Sequence, residues 1–250
     1  MNTTSAWKQI WDNRTLDRSV GSTLAQLMAA DGLDSAFSQL GTDAWTAFVH
    51  DVADRLHLTP DHSVFEVGCG AGAFLYDLDR MGCRVGGIDQ SAALIDIARD
   101  AIPHGDFAVA DAADLDIEPR ADIVVSCGVF LYFPSLDYAR RVLVAMARKA
   151  LHGVAILDVP DLAKVEAAQR FRIDAAGGPA AYADRYEGLE HMFYERDWIH
   201  LELAAAGLTG IRIEDQRIAG YGNAPFRFNA FAFRAPSAGI DTDRSGVRDE

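Results

Sequence analysis

The run Val-Phe-Glu-Val-Gly-Cys-Gly-Ala-Gly-Ala-Phe-Leu, residues 64–75, decides how the chain is read. It starts as a strand carrying Glu66 among apolar residues. Gly68, Gly70 and Gly72 come next and lead into a helical stretch predicted over 72–81. Glycines placed there let the backbone turn tightly and approach a ligand where side chains would collide. The glycines alone leave the ligand open, because the same letters read as G-x-G-x-x-A, with Ala73 last, also suit a dinucleotide-binding turn.

Outward from this turn, strand and helix alternate. Short apolar runs predict strands at 63–68, 84–89, 106–111, 122–127 and 153–159, with helices at 72–81, 91–101 and 135–151 between them. Ser91 and Ser135 open the last two helices as N-cap residues. Strands apolar on both faces imply a parallel sheet covered by helices. Right-handed crossovers then bring the strands' C-terminal ends to one edge. Residues 1–58 read as a helical cover, since LAQLMAA from Leu24 and WTAFVHDVADRLHL from Trp45 repeat apolar residues every three or four positions. The main domain is placed at 59–235. Within it, 160–194 separates the fifth strand from a helix at 195–206, and an insertion of that size reads as a lid. IRIEDQRI (211–218) and FRFNAFAFR (226–234) have no helix between them and are predicted to pair antiparallel. Residues 236–250 hold one Ile and one Val and read as a frayed tail.

Composition narrows the partners. Half of the 250 residues are hydrophobic, which excludes a disordered chain. The 23 basic residues against 37 acidic ones leave a formal charge of -14, which opposes nucleic acid as a partner. Cys69, Cys83 and Cys127 form no Cys-x-x-Cys, so neither a disulfide framework nor a zinc knuckle is expected, and a reducing cytoplasm is. The N-terminus lacks the basic start and apolar core of a secretory signal, and no apolar run approaches the roughly 20 residues a bilayer requires. The expectation is a soluble, cytoplasmic monomer or homodimer acting on a small molecule, with no metal and no membrane.

Three acids sharpen the ligand. Glu66 precedes the first glycine, Asp89 ends the second strand and Asp111 ends the third. A dinucleotide accounts for an acid at the second strand and gives no role to one at the third. A nucleoside with an amino-acid arm accounts for both, with ribose hydroxyls at Asp89 and an exocyclic amine at Asp111. Taken singly, each has a plainer reading: an isolated buried acid, a helix-capping residue and a solvated loop acid.

At these residues the sequence resembles the class I S-adenosylmethionine-dependent methyltransferases, in the group acting on small molecules. The resemblance runs over 63–158: E-V-G-C-G-A-G matches the family's first motif, G-I-D-Q-S its second, V-A-D-A-A its third and D-I-V-V-S-C-G-V-F-L-Y-F-P its fourth. It implies a Rossmann-like α/β fold, a seven-stranded, mainly parallel sheet closed by the C-terminal antiparallel strand. It also implies S-adenosyl-L-methionine as cofactor. By the match, Glu66 supports the loop, the backbone of Gly68, Cys69 and Gly70 lines the methionine arm, and Asp89 holds the ribose. Gln90 flanks the adenine, Asp111 and the Ala112 amide read its edge, and the Cys127 carbonyl receives the amino group. The thiols of Cys69 and Cys127 are read as packing residues.

The acceptor side is less determined. Amino-methyltransferases of nucleic acids and proteins carry an Asn- or Asp-Pro-Pro-aromatic sequence after the fourth strand, and Ser-Cys-Gly-Val does not fit it. Tyr132 stands where many small-molecule enzymes of the family carry a histidine, so it is a candidate substrate-facing hydroxyl or sulfonium-facing ring, against a plain packing role. His191, with an ordinary pKa near 6.5, is the candidate general base, against a surface or core histidine. Asp158 either binds substrate or caps a turn. Arg217, Tyr221, Asn223 and Phe226 are placed to rim the pocket. The lid adds Phe171, Tyr182, Tyr186, Phe193 and Tyr194, interleaved with Asp161, Glu166, Asp184, Glu187 and Glu190. Those acids suit a polar or cationic acceptor, and a solvated helix face accounts for them equally well. Trp7, Trp11 and Arg14 lie on a helix that in this family often closes over the cofactor. The leading function is N- or O-methylation of a polar metabolite such as an amino sugar, cyclitol or natural-product intermediate. C-methylation and nicotinamide-dependent oxidoreduction are the alternatives.

Overall fold

The computed structural model describes residues 3–19, 21–33 and 40–235. The N-terminal part supplies helices α1 (Thr3–Asp12), α2 (Thr23–Ala30) and α3 (Thr42–Arg55). The alternating part continues as β1 (Ser63–Val67), α4 (Ala73–Arg80), β2 (Arg84–Asp89), α5 (Ala92–Ala101), β3 (Asp106–Val109), β4 (Ala121–Cys127), α6 (Leu136–Lys149) and β5 (Ala150–Pro160). Then come α7 (Val165–Ala175), α8 (Pro179–Tyr186), α9 (Arg196–Ala205), β6 (Leu208–Asp215) and β7 (Arg227–Arg234). The frayed tail expected at 236–250 lies outside the described residues.

The seven strands form one sheet in the order β3-β2-β1-β4-β5-β7-β6. β1 to β5 pair in parallel, and β7 runs antiparallel between β5 and β6. The chain moves outward from β1 to β3 and then returns to β4, so the strand order reverses beside β1. Ligands of such sheets bind in the crevice outside the strand ends at that reversal. Two apolar layers sandwich the sheet. One joins it to α2, α3, α4 and α5 through residues such as Leu27, Val49, Leu75 and Ile95. The other joins it to α6 and α9 through Val142, Met146, Ile199 and Leu203. Both hydroxyl caps form as the sequence implies: Ser91 accepts from Leu94 N–H at 3.3 Å and Ser135 from Tyr138 N–H at 3.1 Å.

Some boundaries differ from the sequence reading. The sixth strand is displaced toward the N-terminus from 211–218, because Leu208 already pairs with Arg234 while the chain leaves the ladder after Asp215. The helix expected over 135–151 stops at Lys149, whose ammonium is anchored on the carbonyls of Asp116 and Pro119 at 3.0 and 2.7 Å. The third strand ends before Asp111, which instead caps a short 3-10 turn, Ala112–Asp114.

The N-terminal helices are fastened to the sheet edge that carries the strand ends. Ser91 Oγ donates to the Trp11 carbonyl at 3.1 Å, and Lys8 Nζ donates to that of Gln90 at the same distance. Trp45 Nε1 donates to the carbonyl of Ala73 at 3.1 Å. These contacts hold α1 over the end of β2 and α3 against the start of α4.

Candidate active site

A cavity of about 490 Å³ opens at the strand ends between the glycine turn, the N-terminal helices and the 160–194 segment. Its glycine side is built on backbone amides. Gly68 and Cys69 N–H both donate to the Ile88 carbonyl, at 2.8 and 2.9 Å, which ties the turn to β2. Gly68 sits at φ 77°, and a Cβ there would lie 2.5 Å from Val129 Cγ2, so any other residue would be both strained and displaced.

Two carboxylates grip the amides of the next residues. Asp89 accepts from Gly70 N–H at 3.0 Å and from Ser91 N–H at 2.9 Å. Asp31, just past α2, accepts from Ala71 N–H at 2.6 Å and from Ala73 N–H at 3.2 Å. Helix N-terminal amides are what a dinucleotide turn offers to a pyrophosphate. Here Asp31 takes them, so the turn opposes a phosphate. Glu66 is buried beneath it, with Oε2 lacking any hydrogen-bond partner. Burial, and then the repulsion of Asp31 and Asp89, hold Glu66 well above the usual carboxylate range. Burial likewise raises Asp89, and it pushes Asp31 up to about 7 against the pull of its two amides. Three acids facing one another favour a ligand that brings positive charge.

Further along the same wall lie Gln90, Asp111 and Ala112. Asp111 Oδ1 accepts from Ala113 N–H at 2.8 Å and from the Tyr138 hydroxyl. The cysteines offer no nucleophile, since burial and neighbouring acids push the thiols of Cys69 and Cys127 well up.

The opposite wall is aromatic and cationic. Tyr132 meets Trp7 edge-on at 4.7 Å between ring centres, with Trp11 at 5.5 Å and His191 at 5.7 Å, while Trp7 stacks on His191 at 5.2 Å. Burial raises the Tyr132 hydroxyl to about 12. Arg172, from α7, lies 3.1 Å from His191 Nδ1. A guanidinium can only donate, so Nδ1 accepts and the ring proton sits on Nε2, which is buried without a partner. Burial and two nearby guanidiniums, Arg172 and Arg227, drive His191 well below its ordinary pKa. Asp158 reaches the cavity from a left-handed backbone position, φ 58°, at the irregular end of β5. It accepts from Tyr221 Oη at 2.8 Å and from Gln216 Nε2 at 3.4 Å.

Comparison with known proteins shows what part of the chain is similar to. A family model described as "Methyltransferase domain" matches residues 64–152. The chain is 33% identical over 133 residues to dTDP-4-amino-2,3,4,6-tetradeoxy-D-glucose N,N-dimethyltransferase of Saccharopolyspora spinosa, covering 52% of this chain and 53% of that one. It is 31% identical over 105 residues to magnesium-protoporphyrin O-methyltransferase of Rhodobacter capsulatus, covering 40% and 46%. The chain thus spans about half the length of the curated relatives it matches. The matched part, residues 64–152, is thus similar to a methyltransferase domain and holds all four motifs read from the sequence. Its fold also matches the crystal structure of magnesium protoporphyrin IX methyltransferase from Synechocystis PCC 6803 with bound SAM, with a TM-score of 0.60, 14% identity and coverage of 94% and 98%. The corresponding values for an amino pentose methyltransferase from Micromonospora echinaspora are 0.56, 17%, and 76% and 92%. These findings decide between the two readings of the glycine turn.

The methyltransferase cavity brings together Glu66, Gly68, Cys69, Gly70, Asp89, Gln90, Asp111, Ala112, Cys127, Tyr132 and His191, along with Trp7, Trp11 and Arg14 of the cover. Asp31, with Glu66 and Asp89, suits the positive charge of the cofactor's sulfonium and ammonium groups. Other expectations need correction. Arg217 is exposed, because Gln216 and Ile218 on either side point inward, and Phe226 packs on Phe171 instead of rimming the pocket. Tyr194 is fully buried, its hydroxyl donating to the Phe130 carbonyl at 2.8 Å. None of the lid acids lines the cavity: Glu166, Asp184, Glu187 and Glu190 are exposed, and Asp161 pairs with Arg196 at 2.9 Å. The cationic acceptor they suggested therefore loses its basis. A histidine base is also at odds with the geometry, since the His191 lone pair is already engaged by Arg172. Asp31, Tyr138, Arg172 and Arg227 line the cavity without having been singled out. Asp31 had no signal in the sequence beyond its place before Gly32 at the end of a helix.

Two outcomes test the cofactor wall. Asp89→Ala is expected to weaken S-adenosylhomocysteine binding about tenfold or more, roughly 1.4 kcal/mol; titration calorimetry showing unchanged affinity would remove Asp89 from the ribose site. For Asp31, the folded pKa of about 7 exceeds the ordinary 3.8, so the folded protein holds a proton that the unfolded chain has released between those values. The stability it contributes is full below about pH 4 and is lost as pH rises through 7, a change on the order of 4 kcal/mol. Asp31→Asn should flatten that decline in urea denaturation of the ligand-free protein, and a slope equal to wild type would contradict it.

Proposed function

We propose that the protein methylates a nitrogen or oxygen atom of a polar small molecule, with amino sugars, cyclitols and hydroxylated natural-product intermediates as the acceptor class. The observation that carries this reading is the division of one cavity into an acid-lined glycine wall and an aromatic, polar wall. When bound, S-adenosylmethionine supplies a methyl group on a sulfonium for in-line displacement. Asp89 and Asp111 hold the nucleoside, and Asp31 and Glu66 favour the cationic arm. The relative from Saccharopolyspora spinosa, named as an N,N-dimethyltransferase of an amino sugar nucleotide, supports a nitrogen acceptor.

On the acceptor side the chain offers positioning more than proton removal. Tyr132 and Trp7 line the cavity with aromatic rings, whose faces stabilise positive charge nearby. His191 donates through Nε2, and Tyr132 keeps its proton at neutral pH. A neutral amine attacks through its lone pair and loses a proton only afterwards, so this wall suits nitrogen ahead of an unactivated hydroxyl.

Incubation with S-adenosylmethionine and a panel of amino sugars, cyclitols and hydroxylated analogues, read by mass spectrometry and NMR, should give an N- or O-methyl product. A C-methyl product, or turnover that ignores the acceptor's heteroatoms, would sink the reading. Because His191 lies well below its ordinary pKa, kcat/KM between pH 6 and 8 should show no limb that His191→Gln abolishes. An acid limb near pH 6.5 that vanishes in that variant would restore His191 as the base.

A further inference from the structure

The acceptor wall contains a buried charge that the protein leaves incompletely answered. Arg227 opens β7 and is 6% exposed, yet its Nη1 is buried with no hydrogen-bond partner. Its Nε lies 3.9 Å from Asp158 Oδ2, beyond hydrogen-bond range. Asp158 is meanwhile engaged by the Tyr221 hydroxyl and the Gln216 amide. Arg172, 7% exposed, lines the same cavity from the lid and donates to His191, whose own Nε2 proton is buried without an acceptor. Tyr182 and Tyr186 flank its guanidinium, with ring centres at 5.8 and 5.3 Å, and hold its orientation.

This wall thus combines two buried guanidiniums, one carboxylate and two unanswered buried donor atoms, with the exposed Arg185 also lining the cavity, in a protein whose total charge is -14. A buried guanidinium with one nitrogen unpartnered and its carboxylate 3.9 Å away is incompletely compensated, and planar arginines match carboxylate and phosphate oxygens two at a time. The glycine wall presents the carboxyls of Asp31, Glu66 and Asp89, which give an anion no favourable partner. Arg14, over the Trp11 ring at 5.3 Å, lies between the two walls, within electrostatic reach of both Asp31 and Tyr132. The cavity thus has acids beside its glycine turn and two buried guanidiniums among its aromatic lining.

We propose that the methyl acceptor carries an anionic oxygen group, a carboxylate or a phosphate, seated between Arg227 of β7 and Arg172 of the lid, with His191 Nε2 as the third donor. The proposal rests on the reading of the cavity as the site of a small-molecule methyl acceptor, and it narrows that acceptor's class. It also gives the lid a role, since an anion held by both arginines joins α7 to the sheet.

The test uses the full chain saturated with S-adenosylhomocysteine, titrated with citrate or inorganic pyrophosphate against potassium chloride of equal ionic strength, by calorimetry and thermal shift. At least one probe should bind saturably in the millimolar range, and the arm that binds identifies carboxylate or phosphate. Arg227→Gln should weaken that binding about tenfold or more while S-adenosylhomocysteine affinity stays within about twofold, and Arg227→Lys should restore part of it. Arg172→Gln, on an independent element, should act in the same direction. Absence of saturable binding by either probe in wild type overturns the proposal, as does unchanged binding in both Gln variants. Equal weakening of S-adenosylhomocysteine would assign the arginines to the cofactor's own carboxylate and overturn it as well. A C-methyl product alongside intact anion binding would instead reject the proposed function and leave the anion seat standing.

Discussion

Carboxylate oxygens bonded to the backbone amides of the glycine turn hold this molecule's site together. Asp89 takes the amide of Gly70, and Asp31 takes those of Ala71 and Ala73. The first belongs to the strand beside the turn, whereas the second arrives from the N-terminal helices. The turn is therefore a joint between cover and sheet as well as a ligand cradle. It also spends the positive end of α4 on a protein anion, so the groups left facing the cavity are acids. The same glycine geometry that serves phosphates elsewhere has its amides taken here by carboxylates of the protein itself.

That choice organises the rest of the cavity. Its glycine wall carries Glu66, Asp31 and Asp89 at close quarters, each raised by burial. Its far wall carries Arg172 and Arg227, and the rings of Trp7, Trp11 and Tyr132 lie along it. Carboxyls beside the turn and guanidiniums among the rings suit a ligand that carries groups of both signs. The hydrogen bonds from Lys8 and Ser91 that fix α1 over β2 are what bring the tryptophans to this wall.

Much of the architecture was legible because its signals are short-range. Alternating apolar runs, Ser91 and Ser135 as caps, and two closing strands without an intervening helix all depend on neighbours a few residues apart. Glu66, Asp89 and Asp111 were legible for the same reason, since each is fixed by its distance from a strand end. The misses share a different property. Arg227 and Phe226 are adjacent, and which one faces the cavity depends on the register of β7 between two partners. Tyr194 looked like a lid aromatic, but its segment runs through the core against Phe130. The lid acids looked like a binding surface because sequence records charge without direction, and the helices turn them to solvent.

The sequence by itself determined a parallel sheet with a glycine turn after its first strand, acids at or just past successive strand ends and a long insertion before the last hairpin. Local propensity and periodicity suffice for those features, because hydrogen bonding and burial within a strand or helix turn on residues two to four apart. Tertiary structure alone decided that Asp31 would close the turn against phosphate, that His191 would be a proton donor, and that Arg172 and Arg227 would share one wall. Each outcome requires side chains from distant segments to meet in a space that excludes water. There charge, burial and the saturation of lone pairs set the chemistry, and no spacing along the chain records them.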